Sequence, residues 1–158
     1  MKKTIITLDI INDLCSANGR LASYSEQIAR NNVIENINRI TSWGRTQNWL
    51  IIHIRLGFRS SYLDSSIHSP IFSTAKNAKA LLVDEWGGQF YAKLQIETGD
   101  IQIIKHRVSG FYGTDLDLIL RGNDIKEIVL LGIATNNAVE LTAREAHDRD
   151  FKVQVVQD

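Results

Sequence analysis

Glu127-Ile128-Val129-Leu130-Leu131-Gly132-Ile133-Ala134-Thr135-Asn136-Asn137-Ala138-Val139-Glu140 is the stretch that decides the fold. Glu127 to Leu131 is a short apolar run of the kind that forms a strand covered on both faces. The chain then turns after Gly132, and Asn136 to Asp148 reads as a helix. A further apolar run, Lys152 to Val156, follows at once. A strand, a helix and a second strand so closely joined require the strands to be parallel, with the helix crossing one face of the sheet.

The same alternation extends back to the N-terminus. Thr4 to Leu8 is a buried strand that ends at Asp9. Ser25 to Trp43 carries Ile28, Val33, Ile37 and Ile40 near helical spacing, and Gly44 is placed to cap that helix. Leu50 to Ile54 and Ile101 to Ile104 are two more strands, separated by an irregular stretch with Pro70 and a short helix near Ser73 to Leu81. Thr114 or Asp115 can start a helix that Gly122 stops near Arg121. The pattern predicts an α/β fold, a Rossmann-like doubly wound parallel sheet with helices on both faces. In such sheets the ligand crevice lies beyond the carboxyl ends of the strands. That rule gathers Asp9, Arg55, Lys105 and the segment after Gly132 on one edge.

Composition narrows the class. A chain of 158 residues supports one domain, 1–158. It ends directly after the fifth strand, where a helix would ordinarily follow, so the expectation is a domain truncated at its C-terminal end. The 18 basic and 18 acidic residues cancel, which argues against massed phosphate contacts and hence against a nucleic-acid partner. No apolar run is long enough to span a membrane. Asp9 interrupts the N-terminal apolar run, and no small-residue cleavage site follows, which rejects a signal peptide. One cysteine, Cys15, excludes an internal disulfide and fits a cytoplasmic setting. No Gly-x-Gly-x-x-Gly follows the first strand, so a dinucleotide cofactor is not expected.

Several residues could carry chemistry. Asp9 is a turn residue or helix cap on one reading, and Lys105 an exposed lysine whose stem lies over the sheet edge. Together they form a carboxylate–ammonium pair suited to moving a proton, since each favours the other's charged form. The turn from Gly132 to Glu140 is either an ordinary Asn-capped junction or a cradle of N–H groups for negative charge. Arg55 can pair with a substrate carboxylate or with Asp9. His53 falls inside a strand and is read as a core residue. Phe58, Tyr62, Phe72, Trp86, Phe90 and Tyr91 lie in the irregular stretch, where they either wall a pocket or pack on a neighbouring subunit.

Three blocks resemble the isochorismatase-like hydrolases, also called the cysteine hydrolase family. They are Asp9-Ile10-Ile11-Asn12-Asp13-Leu14-Cys15 with Gly19, then Ile103-Ile104-Lys105 followed by Ser109-Gly110-Phe111-Tyr112-Gly113-Thr114-Asp115-Leu116, and last Gly132-Ile133-Ala134-Thr135 followed by Val139-Glu140 and Thr142-Ala143-Arg144. They stand in family order and cover almost the whole chain. The resemblance implies a sheet of order 3-2-1-4-5, with a sixth strand in a longer parent chain. It also implies a catalytic Asp9 and Lys105, with the nucleophilic cysteine's position falling on Ala138. A methyl group cannot attack a carbonyl. Some isochorismatases dispense with that cysteine and act by acid–base chemistry on a vinyl ether. Ala134 and Ala138 are the backbone donors expected to face an oxyanion, through a cis peptide between Ile133 and Ala134. Arg55, Phe58, Phe111 and Thr135 are the candidate pocket residues.

The family's Asp-x-His…His metal cluster is not matched by His53-Ile54-Arg55, so no metal is expected. Cys15 is read as a small core residue without a catalytic role. Two functions follow from these residues. One is a hydrolase of a small, anionic molecule working through Asp9 and Lys105. The other is a catalytically degenerate protein of the same fold that binds a small molecule or a partner chain. A homo-oligomer is expected, formed through the aromatic stretch and the sheet face left without a final helix.

Overall fold

A computed structural model describes residues 2–157. Met1 and Asp158, the ends of the expected domain, lie outside the described residues. Five strands, β1 (Lys2–Leu8), β2 (Leu50–Leu56), β3 (Ile101–Lys105), β4 (Ile125–Gly132) and β5 (Lys152–Val155), form one parallel sheet in the order β3-β2-β1-β4-β5. The helices are α1 (Asn12–Cys15), α2 (Ser25–Arg30), α3 (Val33–Thr46), α4 (Pro70–Asn77), α5 (Leu116–Gly122) and α6 (Glu140–Asp148).

Alternation along the strands makes two cores. Ile5, Ile51, Val129 and Leu131 face Ile28 of α2 and Ile34 and Ile37 of α3. Ile6, Ile52, Ile128 and Leu130 face Leu116 and Leu120 of α5 and Ala146 of α6. Both faces of the central strands are therefore apolar, which explains their unbroken hydrophobic runs.

The helices depart from the sequence pattern in three places. The expected helix from Ser25 to Trp43 is two, because Asn32 takes φ 50° in the left-handed region, which Asn tolerates better than most residues. Gly44 does not cap but sits inside α3, where the lack of a Cβ lets the helix close on Ile5 and Ile51. The helix expected over Ser73 to Leu81 starts at Pro70 instead. Proline suits the first helical position, and Ser69 accepts from the Phe72 N–H at 3.4 Å.

The irregular stretch between β2 and β3 builds a third, smaller core with Phe58, Tyr62, Phe72 and Leu81. The Phe58 ring lies 5.1 Å from Phe72 and 5.9 Å from Tyr62. These aromatics mostly pack on one another. Among the described residues no helix is long and apolar enough to cross a membrane.

Candidate active site

β1 ends at Leu8, and the next residue, Asp9, turns out of the strand at φ 61°. That conformation costs a non-glycine residue about 1–2 kcal/mol, so the surroundings must hold it. The Asp9 N–H donates to the Ile54 carbonyl at 2.8 Å, and its own carbonyl accepts from the Ile11 N–H at 2.9 Å. The turn sends the carboxylate over the end of β2. Oδ1 accepts from the Leu56 N–H at 2.8 Å, and Oδ2 meets Lys105 Nζ at 2.9 Å.

Lys105 is the last residue of β3 and lies beside Leu56 in the sheet register. Its ammonium donates a second time, to the Val108 carbonyl at 2.7 Å, which leaves one of its three hydrogens for a ligand. The lysine side chain is 1% exposed and the aspartate side chain 4%. Two charges this deep are held together because either alone would face a large desolvation penalty.

The third strand end is that of β4. A π-helical turn, Thr135–Val139, precedes α6, and the N–H groups of Asn137 and Val139 converge on the Ala134 carbonyl at 3.1 and 3.3 Å. Single π turns inside helices are uncommon and concentrate at functional sites. This one brings the buried Ala138 methyl to the cavity that Asp9 and Lys105 share. The cavity holds about 360 Å³. Leu21, Tyr24, Phe72, Leu81, Val108 and Ala134 wall it.

The loops that roof the cavity are pinned by the residues following Asp9. Asn12 Nδ2 donates to the Trp86 carbonyl at 2.7 Å. Asp13 is 1% exposed and accepts from the Leu81 N–H at 2.7 Å and the Arg20 N–H at 3.1 Å. On the far side, Thr142 of α6 accepts from the Gly110 N–H at 2.9 Å, and the Ser109 hydroxyl donates to Glu145. The Asn-Asp of the first block and the Ser-Gly and Thr of the other two thus hold loops together around the site rather than face the ligand.

Asp9, Lys105, Ala134 and Ala138 are brought together; the four other candidate residues are not. Arg55 points to the opposite face of the sheet, where its guanidinium donates to the Gly88 carbonyl and lies 5.6 Å from the Phe90 ring centroid. Side chains alternate along a strand, so Arg55 takes the other face from Ile54. Phe58 is fully buried in the third core. Phe111 is buried against Phe151, with ring centroids 6.1 Å apart. Thr135 lines a neighbouring surface groove with Tyr24 and Asn136.

The peptide between Ile133 and Ala134 is trans, as are all the others among the described residues. The chain turns here through the π-helical hydrogen bonds, without the roughly 3 kcal/mol cost of a non-proline cis bond. Cys15 faces the α3 side of the sheet, and burial pushes its thiol up to about 12.

Leu21, Tyr24, Phe72, Leu81 and Val108 carry no sequence signal that marks them as pocket residues. They come from irregular segments whose course depends on tertiary contacts. Only the aromatic enrichment around Phe72 points that way. Among the described residues no group of three or more His, Cys, Asp or Glu side chains is placed to hold a metal.

A larger depression, of about 670 Å³, lies at the opposite end of the strands between Lys3, Arg45, Trp49 and Asp100. Two of its basic side chains are already paired, Lys3 with Glu127 at 2.9 Å and Arg45 with Asp100 at 2.5 Å. Size alone does not make it the better site, since it lacks strand-end chemistry.

Comparison with known proteins agrees with this fold. The family model described as "Isochorismatase domain" matches residues 3–158. An uncharacterized isochorismatase family protein, YecD, of Escherichia coli O157:H7 is 33% identical over 126 residues, covering 80% of this chain and 65% of that protein. A ureidoacrylate amidohydrolase, RutB, of Klebsiella pneumoniae is 31% identical over 171 aligned positions, covering 99% of this chain and 72% of the relative. The chain therefore spans about two thirds of the first relative's length and somewhat more of the second's. The crystal structure of a cysteine hydrolase from Pseudomonas syringae pv. phaseolicola superposes with a TM-score of 0.88 at 23% identity, covering 98% of this chain and 70% of that one.

Proposed function

The chain belongs to the isochorismatase family, and from that premise we propose that it is a hydrolase of a small molecule, working by acid–base chemistry through Asp9 and Lys105 without a covalent intermediate. The observation that carries this reading is the buried ion pair opening on a cavity at the ends of three strands. In the proposed reaction at an ester or amide carbonyl, Asp9 takes a proton from water as the oxygen attacks the bound molecule. Lys105 stabilises the oxyanion that forms, and the bond to the leaving group then breaks as that group takes the proton from Asp9. On a vinyl ether the proton goes first from Asp9 to the alkene carbon, and Asp9 takes one back from the water that adds to the resulting cation. Either way Asp9 ends the cycle in the protonation state in which it began, beside Lys105.

Ala138 limits the chemistry. It has no group that can form a bond to substrate, so thiol-dependent amide hydrolysis has no nucleophile. In a hydrolase that depends on such a group, its removal costs about a millionfold in turnover. The same residue favours a second reading, a catalytically silent member of the family that binds a small molecule in the same cavity. The anionic character expected of the ligand drew on Arg55 and on the turn after Gly132; Arg55 points away from the cavity, so the reading no longer counts it as a partner for a ligand carboxylate. The homo-oligomer stays part of the proposal, resting on the same irregular stretch between β2 and β3, where Leu63, Ile67 and Trp86 are exposed while Phe58, Tyr62 and Phe72 are buried.

The test is a panel of small vinyl ethers, esters and amides. Turnover that Asp9→Asn lowers about a hundredfold or more, and that Cys15→Ser leaves unchanged, supports the hydrolase. Saturable binding with no turnover across the panel supports the silent binder.

A further inference from the structure

We infer that the cavity over Asp9 and Lys105 takes an electrically neutral, largely apolar molecule carrying one hydrogen-bond acceptor, and excludes carboxylates of the same size. The inference rests on the reading of this cavity as the ligand site and adds the chemical class of its occupant.

The argument is electrostatic. Asp9 and Lys105 are the charged side chains in the cavity lining, and at 2.9 Å each neutralises the other. The rest of the wall is aliphatic or aromatic, with Leu14, Leu21, Leu56, Phe72 and Val108 around the pair. The polar groups beside them, Ser23, Thr74 and Asn137, carry no charge. Arg55 is turned to the other face, and Arg20 is paired with Glu85 at 2.8 Å outside the cavity. A ligand carboxylate would thus lose its hydration, gain no unpaired cation and lie close to the Asp9 carboxylate. Burying a charge on those terms is strongly unfavourable. A carbonyl or ether oxygen needs only a donor, and Lys105 has one hydrogen left after Asp9 and Val108. A volume of about 360 Å³ falls at the small end of ligand cavities, which suits a single-ring molecule.

Acetophenone and benzoate are matched in size and differ in charge. Each is titrated against the protein, followed by the backbone amide NMR shifts of Leu21, Val108 and Ala138. Acetophenone is expected to bind at least about tenfold more tightly than benzoate. Asp9→Asn removes the negative partner, leaves the Lys105 charge uncompensated, and should invert the order. Thr74→Lys, on the exposed side of α4 in the cavity lining, adds a cation without replacing either member of the pair and should narrow the gap several-fold. It decides the matter should Asp9→Asn fail to fold. Benzoate binding as tightly as acetophenone to the unmodified protein, with shifts at the same residues, overturns the inference and leaves the site reading standing. A folded Asp9→Asn with the order unchanged, or a Thr74→Lys with the gap unchanged, also overturns it. No shift at these residues with either probe removes the site reading and the inference together.

Discussion

Replacing Ala138 by Cys puts a thiol into the cavity that already holds the Lys105 ammonium. The positive charge stabilises a thiolate over a thiol, while Asp9 opposes this through its own charge and is placed to take the proton. Ala138→Cys is expected to react with iodoacetamide well above the rate of a free cysteine and to gain amidase activity on small amides. The unmodified protein makes a clean background. Its single cysteine, Cys15, is buried, and that burial pushes its thiol up to about 12, so it should stay unlabelled under the same conditions. A mutant thiol as sluggish as free cysteine would show that more than the nucleophile has been lost, and would favour the silent binder. The ion pair gives a second prediction at this scale. Lys105→Met leaves the Asp9 carboxylate buried without its partner and should cost about 3–5 kcal/mol in urea denaturation. Asp9→Asn combined with Lys105→Met removes both charges and should recover much of that loss. A double variant no more stable than the single one would mean that the pair's charges do not set the cost.

The junction between β4 and α6 is where one element positions another for function. Gly132, the last residue of β4, pairs with Leu8 across the sheet. A Cβ there would lie 2.7 Å from Val139 Cγ2 and 3.1 Å from the Leu8 carbonyl oxygen. The strand backbone cannot give way, so the π-helical turn must move. Gly132→Ala is expected to cost about 1–3 kcal/mol and to shift the amide resonances of Ala134 to Val139. An unchanged urea midpoint and spectrum would show that the turn is free to adjust. This junction also marks how far the sequence can be read. Strands buried on both faces advertise themselves as apolar runs, and parallel pairing then fixes where their ends meet, so Asp9, Lys105 and Ala138 fall into one crevice. Helix limits are less legible. Gly44 has the composition of a cap but serves close packing, and Asn32 breaks a periodic run through a left-handed turn that periodicity does not register. Arg55 shows a third limit. Proximity to a strand's end says nothing of which face a side chain takes unless the register is known. The cavity walls were least legible, because Leu21 and Val108 reach the site through loops whose paths are set by Asp13, Ser109 and other buried hydrogen-bonding groups distant in sequence.

One polar chain ties much of the molecule together and should govern its response to acid. His53 of β2 is fully buried, with its ring nitrogens 2.8 Å from Thr7 Oγ1 of β1 and 3.2 Å from Asp100 Oδ2 at the entry to β3. Asp100 in turn is bound by Arg45 of α3 at 2.5 Å. Burial holds the His53 imidazole below its ordinary value, with Asp100 only partly opposing. Burial pushes Asp100 up, but hydrogen bonds from Arg45, the Glu97 N–H and His53 outweigh it and hold the carboxyl below its usual range. Both shifts act in the same direction on stability. Below about pH 6.5 the unfolded histidine takes a proton that the folded one resists, so the unfolded state binds more protons and stability falls with pH. A second loss begins below about pH 3.9, where the unfolded carboxyl protonates before folded Asp100 does. Urea midpoints are therefore expected to decline between about pH 6.5 and about pH 5, before any carboxylate is titrated in the unfolded chain. His53→Gln keeps an acceptor for Thr7 and a donor for Asp100 but cannot take the proton, so it should flatten that decline while leaving the lower step in place. A decline of equal slope in His53→Gln would remove His53 as its source.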